Sequence, residues 1–297
     1  MADWDDLRIF LAVARSESLS RAGRVLKIDP ATVGRRVARL EEALGARLFT
    51  KSPQGYALTD EGTRLLAHAT RAEQAMTGAM EELRGAPGQL SGQIRIGAPD
   101  GCATFVLPQV VAQICDENPG LEVQIVALPR VFNLSKREAD MAIAVSRPEA
   151  GRLTVQKITD YHLHLAASRD YLARHAPIAT PADLRQHRFV GYIADMIFDK
   201  ELDYLGEVGA ETVPLASNSV TVQLNWVRGG AGVAVVHDFA LAGAPELVKV
   251  LPGDVALKRA FYLIRHADDR RVERLNRFAD LLAQGLRREV ARLESVT

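Results

Sequence analysis

A chain of 297 residues with 47% hydrophobic and 25% charged side chains has the make-up of a globular protein of two or three structural units, which excludes a disordered or low-complexity chain. Its 37 basic and 37 acidic residues cancel, so a polyanion must be held by a local patch rather than by general basicity. No run of about 18 apolar residues occurs, and the acidic start Met1-Ala2-Asp3-Trp4-Asp5-Asp6 does not read as a signal peptide, so a cytoplasmic chain with no membrane partner is expected.

Leu7, Phe10, Leu11 and Ala14 form the inner stripe of a first helix, which ends at Ser16 to Ser18. Residues 18 to 44 then read as two helices joined by a tight turn. Leu19, Ala22, Val25 and Leu26 recur at helical spacing, as do Val33, Val37, Leu40 and Leu44. Asp29 suits the N-cap of the second helix, and Pro30 its first position, where a missing N–H does no harm. With the second apolar set facing inward, a 100° wheel turns Ala31, Thr32, Arg35 and Arg39 outward and puts Arg36 on the flank. A small residue, a hydroxyl and guanidiniums on one exposed helix face suit a DNA groove. Such a face is also what a solvated surface helix presents. Residues 15 to 51, however, hold nine basic residues against four acidic ones, inside a neutral chain. A hairpin signal follows, with Arg47-Leu48-Phe49 and Tyr56-Ala57-Leu58 around the basic loop from Thr50 to Gly55, which carries Lys51. The pattern is a winged helix-turn-helix, and double-stranded DNA is the expected partner.

Thr59 is placed to cap a long helix whose first turn carries Asp60 and Glu61 and which runs to about Arg84. Leu65, Ala69, Ala72, Met76, Ala79 and Leu83 alternate in steps of four and three, a heptad seam that predicts self-association; packing on its own chain is the alternative. Gly85-Ala86-Pro87-Gly88 breaks the helix.

From Gln93 the texture becomes α/β: a strand at Ile94 to Ala98, a helix over 104–118, and strands over 121–128 and 141–145. A second set begins near Tyr161, with a strand over 163–167, a helix over 169–174, a short segment 181–184, a strand over 189–193, a helix over 220–228 and a strand over 233–236. Phe261 to Ile264 lead to a last helix, with Leu275, Phe278, Leu281 and Leu282 on one face, that is expected to return to the first set. Cys102 and Cys115 are the only cysteines. Buried thiols are the default; Cys102, after a strand and at the start of a helix, has redox sensing as the alternative. The seven histidines lack metal-ligand spacing, although His162 and His164 alternate along a strand, and no metal or cofactor is implied.

The order of motifs resembles the LysR-type transcriptional regulators over nearly the whole chain. It is carried by Leu7, Phe10, Ser18-Leu19-Ser20-Arg21-Ala22, Val33, Arg35, Leu40-Glu41, Leu44-Gly45, Arg47-Leu48-Phe49 and Leu58-Thr59-Asp60-Glu61-Gly62. Further on come Arg95-Ile96-Gly97, Leu107-Pro108, Asn118-Pro119, Asp140-Met141-Ala142-Ile143 and Gly230-Ala231-Gly232-Val233. The resemblance implies an α/β protein with an all-α N-terminal part: a winged helix-turn-helix (1–59), a linker and dimerisation helix with hinge (60–88) and a periplasmic-binding-protein-like effector domain (89–297). In the last, subdomain I (92–160 and 267–297) and subdomain II (161–266) would be joined by two crossing strands with a small organic effector between them, and chains would form dimers or tetramers. The recognition helix departs from the family pattern. It opens Asp29-Pro30-Ala31-Thr32-Val33-Gly34 where family members usually offer an amide, and Gly34 costs about 1 kcal/mol against Ala in a helix interior. The loop from Leu128 to Asp140 is shorter than usual, which suggests a distinct effector pocket.

Ligands of open α/β units gather at strand carboxyl ends and helix N-termini. That rule selects Asp100, Cys102 and Thr104 after the first strand, Arg130, Asn133 and Ser135 after the second, Asn218 and Ser219 before a helix, and Tyr192 at a strand end. Each is singly also an ordinary cap or turn residue. Asp100 argues against an anionic effector. Two other functions compete with this reading. A nucleotide-dependent enzyme is suggested by Gly229-Gly230-Ala231-Gly232, but that motif ends a helix and opens a strand, the reverse of a dinucleotide fingerprint, and no catalytic constellation stands out. An architectural DNA-binding protein without a ligand would leave the C-terminal α/β portion unexplained.

Overall fold

The structure is a computed structural model that describes residues 3–52, 55–84, 89–127, 139–148, 151–204, 208 and 212–297. The chain divides into two compact units, Met1–Pro87 and Gly88–Thr297.

In the first unit, helix α1 (Trp4–Ser16) starts where the Asp3 side chain accepts from the Asp5 N–H and stops at Glu17, whose φ of 54° is left-handed. Helix α2 (Leu19–Leu26) is capped by Ser18, and α3 (Pro30–Leu44) by Asp29, whose Oδ1 accepts from the Ala31 N–H at 2.8 Å. Val33, Val37 and Leu40 of α3 are buried against Phe10, Leu11, Val13, Ala22, Leu48 and Phe49. Each such side chain contributes about 1.5–3 kcal/mol through burial. Two apolar residues expected inside are not: Val25 is 75% and Leu44 43% exposed. On α2 the stripe Leu19, Ala22, Leu26 is centred roughly 90° from Val25, and Leu44 is the last residue of α3, past the core. Gly34 meets α2, since a Cβ there would lie 3.3 Å from Leu19 Cδ1.

Strands β1 (Phe49–Ser52) and β2 (Gly55–Leu58) pair antiparallel with Phe49 opposite Leu58, forming the wing. Helix α4 (Asp60–Arg84) begins at Thr59, whose Oγ1 accepts from the Gly62 N–H at 2.9 Å and donates to the Arg47 carbonyl at 2.7 Å. Its first turn runs so close to the wing that a Cβ on Gly62 would lie 2.1 Å from the Leu48 carbonyl oxygen.

The second unit is built on one seven-stranded sheet whose strands lie in the order Leu247–Val250, Leu153–Ser168, Ala256–His266, Met141–Ala144, Ser91–Ala98, Gly120–Ala127, with Ala234–His237 also paired to Leu153–Ser168. Strand β3 (Ser91–Ala98) lies parallel to β4 (Gly120–Ala127) and β5 (Met141–Ala144). Helices α5 (Asp100–Phe105) and α6 (Leu107–Glu117) connect β3 to β4, where one helix over 104–118 was expected. Strand β6 (Leu153–Ser168) is followed by α7 (Arg169–Arg174), and two-residue strands β7 (Val190–Gly191) and β8 (Leu215–Ala216) pair in parallel. Helix α8 (Val220–Arg228), strand β9 (Ala234–His237), helix α9 (Asp238–Leu241) and strands β10 (Leu247–Val250) and β11 (Ala256–His266) follow. Helix α10 (Glu273–Glu294) closes the chain.

β6 and β11 run antiparallel along nearly their whole length, with a register shift between Phe261 and Tyr262. One end of this ribbon pairs with β5, while the other end of β6 pairs with β9 and β10. The two strands therefore belong to both halves of the unit. α10 returns to the first half: Arg274 donates to the Ser91 carbonyl at 2.9 Å, and Leu275, Phe278 and Leu282 are buried. It also holds the ribbon, with Arg287 donating to the Ile158 carbonyl (2.8 Å) and Glu294 accepting from the His162 N–H (2.7 Å). The second half has a core cluster of its own that includes Tyr171, Leu184, Phe189 and Val233.

Candidate nucleic-acid interface and ligand cleft

On α3, Ala31 and Arg35 are exposed and Thr32 is half-buried; Arg35 donates to Thr32 Oγ1 at 3.1 Å. Arg36 and Arg39 instead turn their guanidiniums to α1. The Arg39 guanidinium donates to both carboxylate oxygens of Asp6, at 2.6 to 2.9 Å, and Arg36 lies 3.4 Å from the same carboxylate and 3.7 Å from Asp5. Asp6 is only 3% exposed, and its hydrogen bond holds Arg39 above the usual arginine range. The wheel registers only the α3 axis; the acidic first turn of α1, which crosses α3, claims both arginines. Arg15 and Arg47 are paired as well, to Glu73 and Glu41. Among the described residues, Arg21, Arg24, Lys27, Arg35 and Lys51 are exposed basic residues of this stretch without a carboxylate partner. The three from α2 and its cap were not in the expected site, although the charge count included them. Lys51 stands on the wing, 5.9 Å from the centre of the Tyr56 ring.

On α4, Leu65 is half-buried and Ala69 buried against the first unit's own core, so these two seam positions serve that core. Ala72 and Met76 are exposed. The side chains of Ala79 and Leu83 lie outside the described residues.

In the second unit, Asp100 opens α5 at the carboxyl end of β3, and Ser219 caps α8. The two meet. Asp100 Oδ2 accepts from Ser219 Oγ at 2.8 Å and from the Thr221 N–H of the first turn of α8 at 3.3 Å. Asp100, Cys102, Tyr192 and Asn218 line one cavity with Tyr161 and His237, and its free volume of about 20 Å³ is room for about one water. Thr104 is exposed on α5 and does not line this cavity. Arg130, Asn133 and Ser135 lie outside the described residues.

Cys102 is 1% exposed, and burial pushes its thiol far up, so the thiolate that redox sensing needs is disfavoured. The phenol of Tyr192 is also raised, by burial and then by the Asp100 carboxylate. Tyr161 and His237 were missed. Tyr161 is fully buried, stacked on Phe261 with centroids 4.2 Å apart, and its Oη has no hydrogen-bond partner among the described residues. His237 is 5% exposed, its Nδ1 is unpartnered, and burial lowers its pKa to about 4, so it is neutral. His237 ends β9, and the strand-end rule applied to that strand selects it; Tyr161 sits mid-strand and gave no signal. The two histidines that alternate along β6 make structural pairs: His162 with Glu294, and His164 with Asp238, which also binds Lys249 at 2.8 Å. The glycine run at 229–232 is a helix end, with the Gly229 and Ala231 N–H groups donating back to Asn225 and Trp226 carbonyls.

Two family models match the chain: "Bacterial regulatory helix-turn-helix protein, lysR family" over residues 4–63 and "LysR substrate binding domain" over residues 87–287. Among curated relatives, the HTH-type transcriptional regulator PtxR of Pseudomonas aeruginosa is 28% identical over 97% of this chain and 94% of its own length. DmlR of Escherichia coli is 27% identical over 84% of this chain and 83% of its own length. Among solved structures, full-length OxyR C199D from Pseudomonas aeruginosa aligns with a TM-score of 0.68 at 19% identity, covering 97% of this chain and 98% of that one. Full-length LysG from Corynebacterium glutamicum, with bound effector Arg, aligns with a TM-score of 0.66 at 16% identity, covering 96% and 98%.

Proposed function

Because the chain belongs to the LysR family of bacterial transcriptional regulators, with a DNA-binding helix-turn-helix and an effector-binding domain, we propose specific roles for its residues. Ala31, Thr32 and Arg35 of α3 read base edges, while Lys51 on the wing holds phosphate. Arg36 and Arg39 serve mainly to fix α3 against α1, and Arg21, Arg24 and Lys27 add phosphate contacts beside it. The α4 seam beyond Ala69, with the exposed Ala72 and Met76 and the sequence positions Ala79 and Leu83, pairs two chains and so sets two readers on two half-sites.

The C-terminal unit divides at the β6–β11 ribbon, residues 92–160 with 267–297 forming one subdomain and 161–266 the other. A small molecule seated between them, against Asp100, Tyr192, Asn218, Ser219, Tyr161 and His237, biases how far the subdomains close. That bias alters the DNA-bound arrangement by no more than the ligand's difference in affinity for the two states. The observation that carries this reading is the hydrogen bond from Ser219 Oγ to Asp100, which joins the two halves directly beside the cavity. The protein acts on the chromosome in the cytoplasm as a regulator rather than an enzyme, and no helix among the described residues is long and apolar enough to cross a membrane. Footprinting on a cognate operator with and without small-molecule extract tests it: a ligand-dependent change in protection is expected, and a footprint that no extract alters refutes the effector role.

A further inference from the structure

The first turn of a helix offers unpaired N–H groups and a positive dipole end, a seat for a carboxylate. At α8, nine residues long, that seat faces the cleft and is taken. Asp100 comes from the opposite side, placed by β3 and α5, and lays Oδ2 on Ser219 Oγ and the Thr221 N–H. Among the described residues no lysine or arginine pairs with Asp100, so this seat is what compensates its charge. Behind the bridge lies the cavity lined by Tyr161 and His237, whose Oη and Nδ1 are both more than nine-tenths buried and, among the described residues, without partners. Two unused hydrogen-bonding atoms at one cavity mark a place built for a polar ligand rather than for packing alone. His237 is neutral there and brings no positive charge for an anion.

We propose that Asp100 is a resident anion, an internal carboxylate that fills the seat at α8 and bridges the two subdomains, so that this cleft takes an uncharged or cationic hydrogen-bonding ligand and turns away organic carboxylates. The inference rests on reading the cleft as the effector site, and it states which chemistry that site accepts. A carboxylate ligand must displace Asp100 and stand beside it; a single amine or hydroxyl group, of the size of the water that the cavity has room for, fits beside Tyr161 and His237 and keeps the bridge.

The test is chemical rescue on the full-length protein. Asp100→Ala deletes a carboxylate group, whose volume and charge formate restores; Asp100→Gly deletes the methylene as well, and acetate is the matching probe. Binding is read from the line width of 13C-labelled formate or acetate, with chloride holding ionic strength constant. Each variant is expected to bind its matching anion at least tenfold more tightly than the wild type, saturably, and adding Ser219→Ala is expected to remove that binding. Asp100→Asn, whose amide keeps the seat filled, is expected to behave like the wild type. Equal binding to wild type and variants, folded variants that ignore both anions, or binding that survives Ser219→Ala overturns the proposal. Operator footprints of the same preparations with and without extract report separately on the regulator reading, so loss of one conclusion is distinguishable from loss of the other.

Discussion

Replacing Tyr161 by Phe removes one oxygen and leaves the stacked ring on Phe261 in place. That oxygen is buried with no hydrogen-bond partner among the described residues, a situation that costs about 1–3 kcal/mol for a hydroxyl. The cavity beside it has room for about one water, which offsets part of the cost, so the expected gain on Tyr161→Phe is near the low end, about 1 kcal/mol. For a unit the size of residues 88–297 this raises the melting temperature by about 2–4 °C. The same variant should respond less to the effector, because the group retained at a stability cost is the one the ligand uses. Differential scanning calorimetry without ligand, followed by the operator response to extract, reads both. A variant that melts several degrees lower refutes the reasoning, since the hydroxyl must then have a partner in the free protein. So does a variant that is stabilised yet responds in full.

Other outcomes follow from the same geometry. Asp6→Asn releases Arg36 and Arg39 from α1 and should strengthen general DNA binding while steepening its salt dependence by about one to two units; an unchanged slope means both arginines already contact phosphate. Lys51→Ala should flatten that slope by about one unit for all sequences, whereas Arg35→Ala should relax preference at a single base position, measured by selection from a random library. Met76→Glu with Leu83→Glu places like charges on the proposed seam and should give monomers with weak operator binding; light scattering that still finds dimers removes α4 from that role. His237 is pushed from 6.5 to about 4 in the fold, so the unfolded chain takes up its proton first as pH falls. Stability is therefore fully present above about pH 6.5 and falls by about 3 kcal/mol towards pH 4, a slope that His237→Gln should reduce in urea melts.

The helix-turn-helix was legible because its signals are local: Asp29 caps α3, Pro30 opens it, and Val33, Val37 and Leu40 recur at the spacing that buries them. Helices 169–174 and 220–228 were legible for the same reason, each preceded by a serine cap. The ribbon was not. Only 163–167 of β6 has the apolar run of a buried strand, while 153–160 carries Thr154, Gln156, Lys157, Thr159 and Asp160 and is held as strand by β11 and by α10, both more than a hundred residues away. The same limit explains the arginines: no wheel of α3 contains Asp6. For the α4 seam the stripe does not stay on one surface along its length: its start goes to the unit's own core at Ala69, while Ala72 and Met76 are exposed, which no spacing on the helix alone announces. In the cleft, the strand-end rule located Asp100, Tyr192 and Asn218, yet the meeting of Asp100 with Ser219 joins residues 119 apart and is a product of the fold alone.

Under the proposed function, a ligand in the cleft changes how the N-terminal reader engages DNA. The most direct measurement is DNase footprinting by full-length protein on DNA it has itself selected from a random library, with and without small-molecule extract, in the wild type and in Tyr161→Phe and His237→Gln. An extract-dependent change of protection in the wild type that is reduced or lost in both variants is the predicted result. A wild-type footprint indifferent to extract, or the same full response in all three proteins, contradicts it.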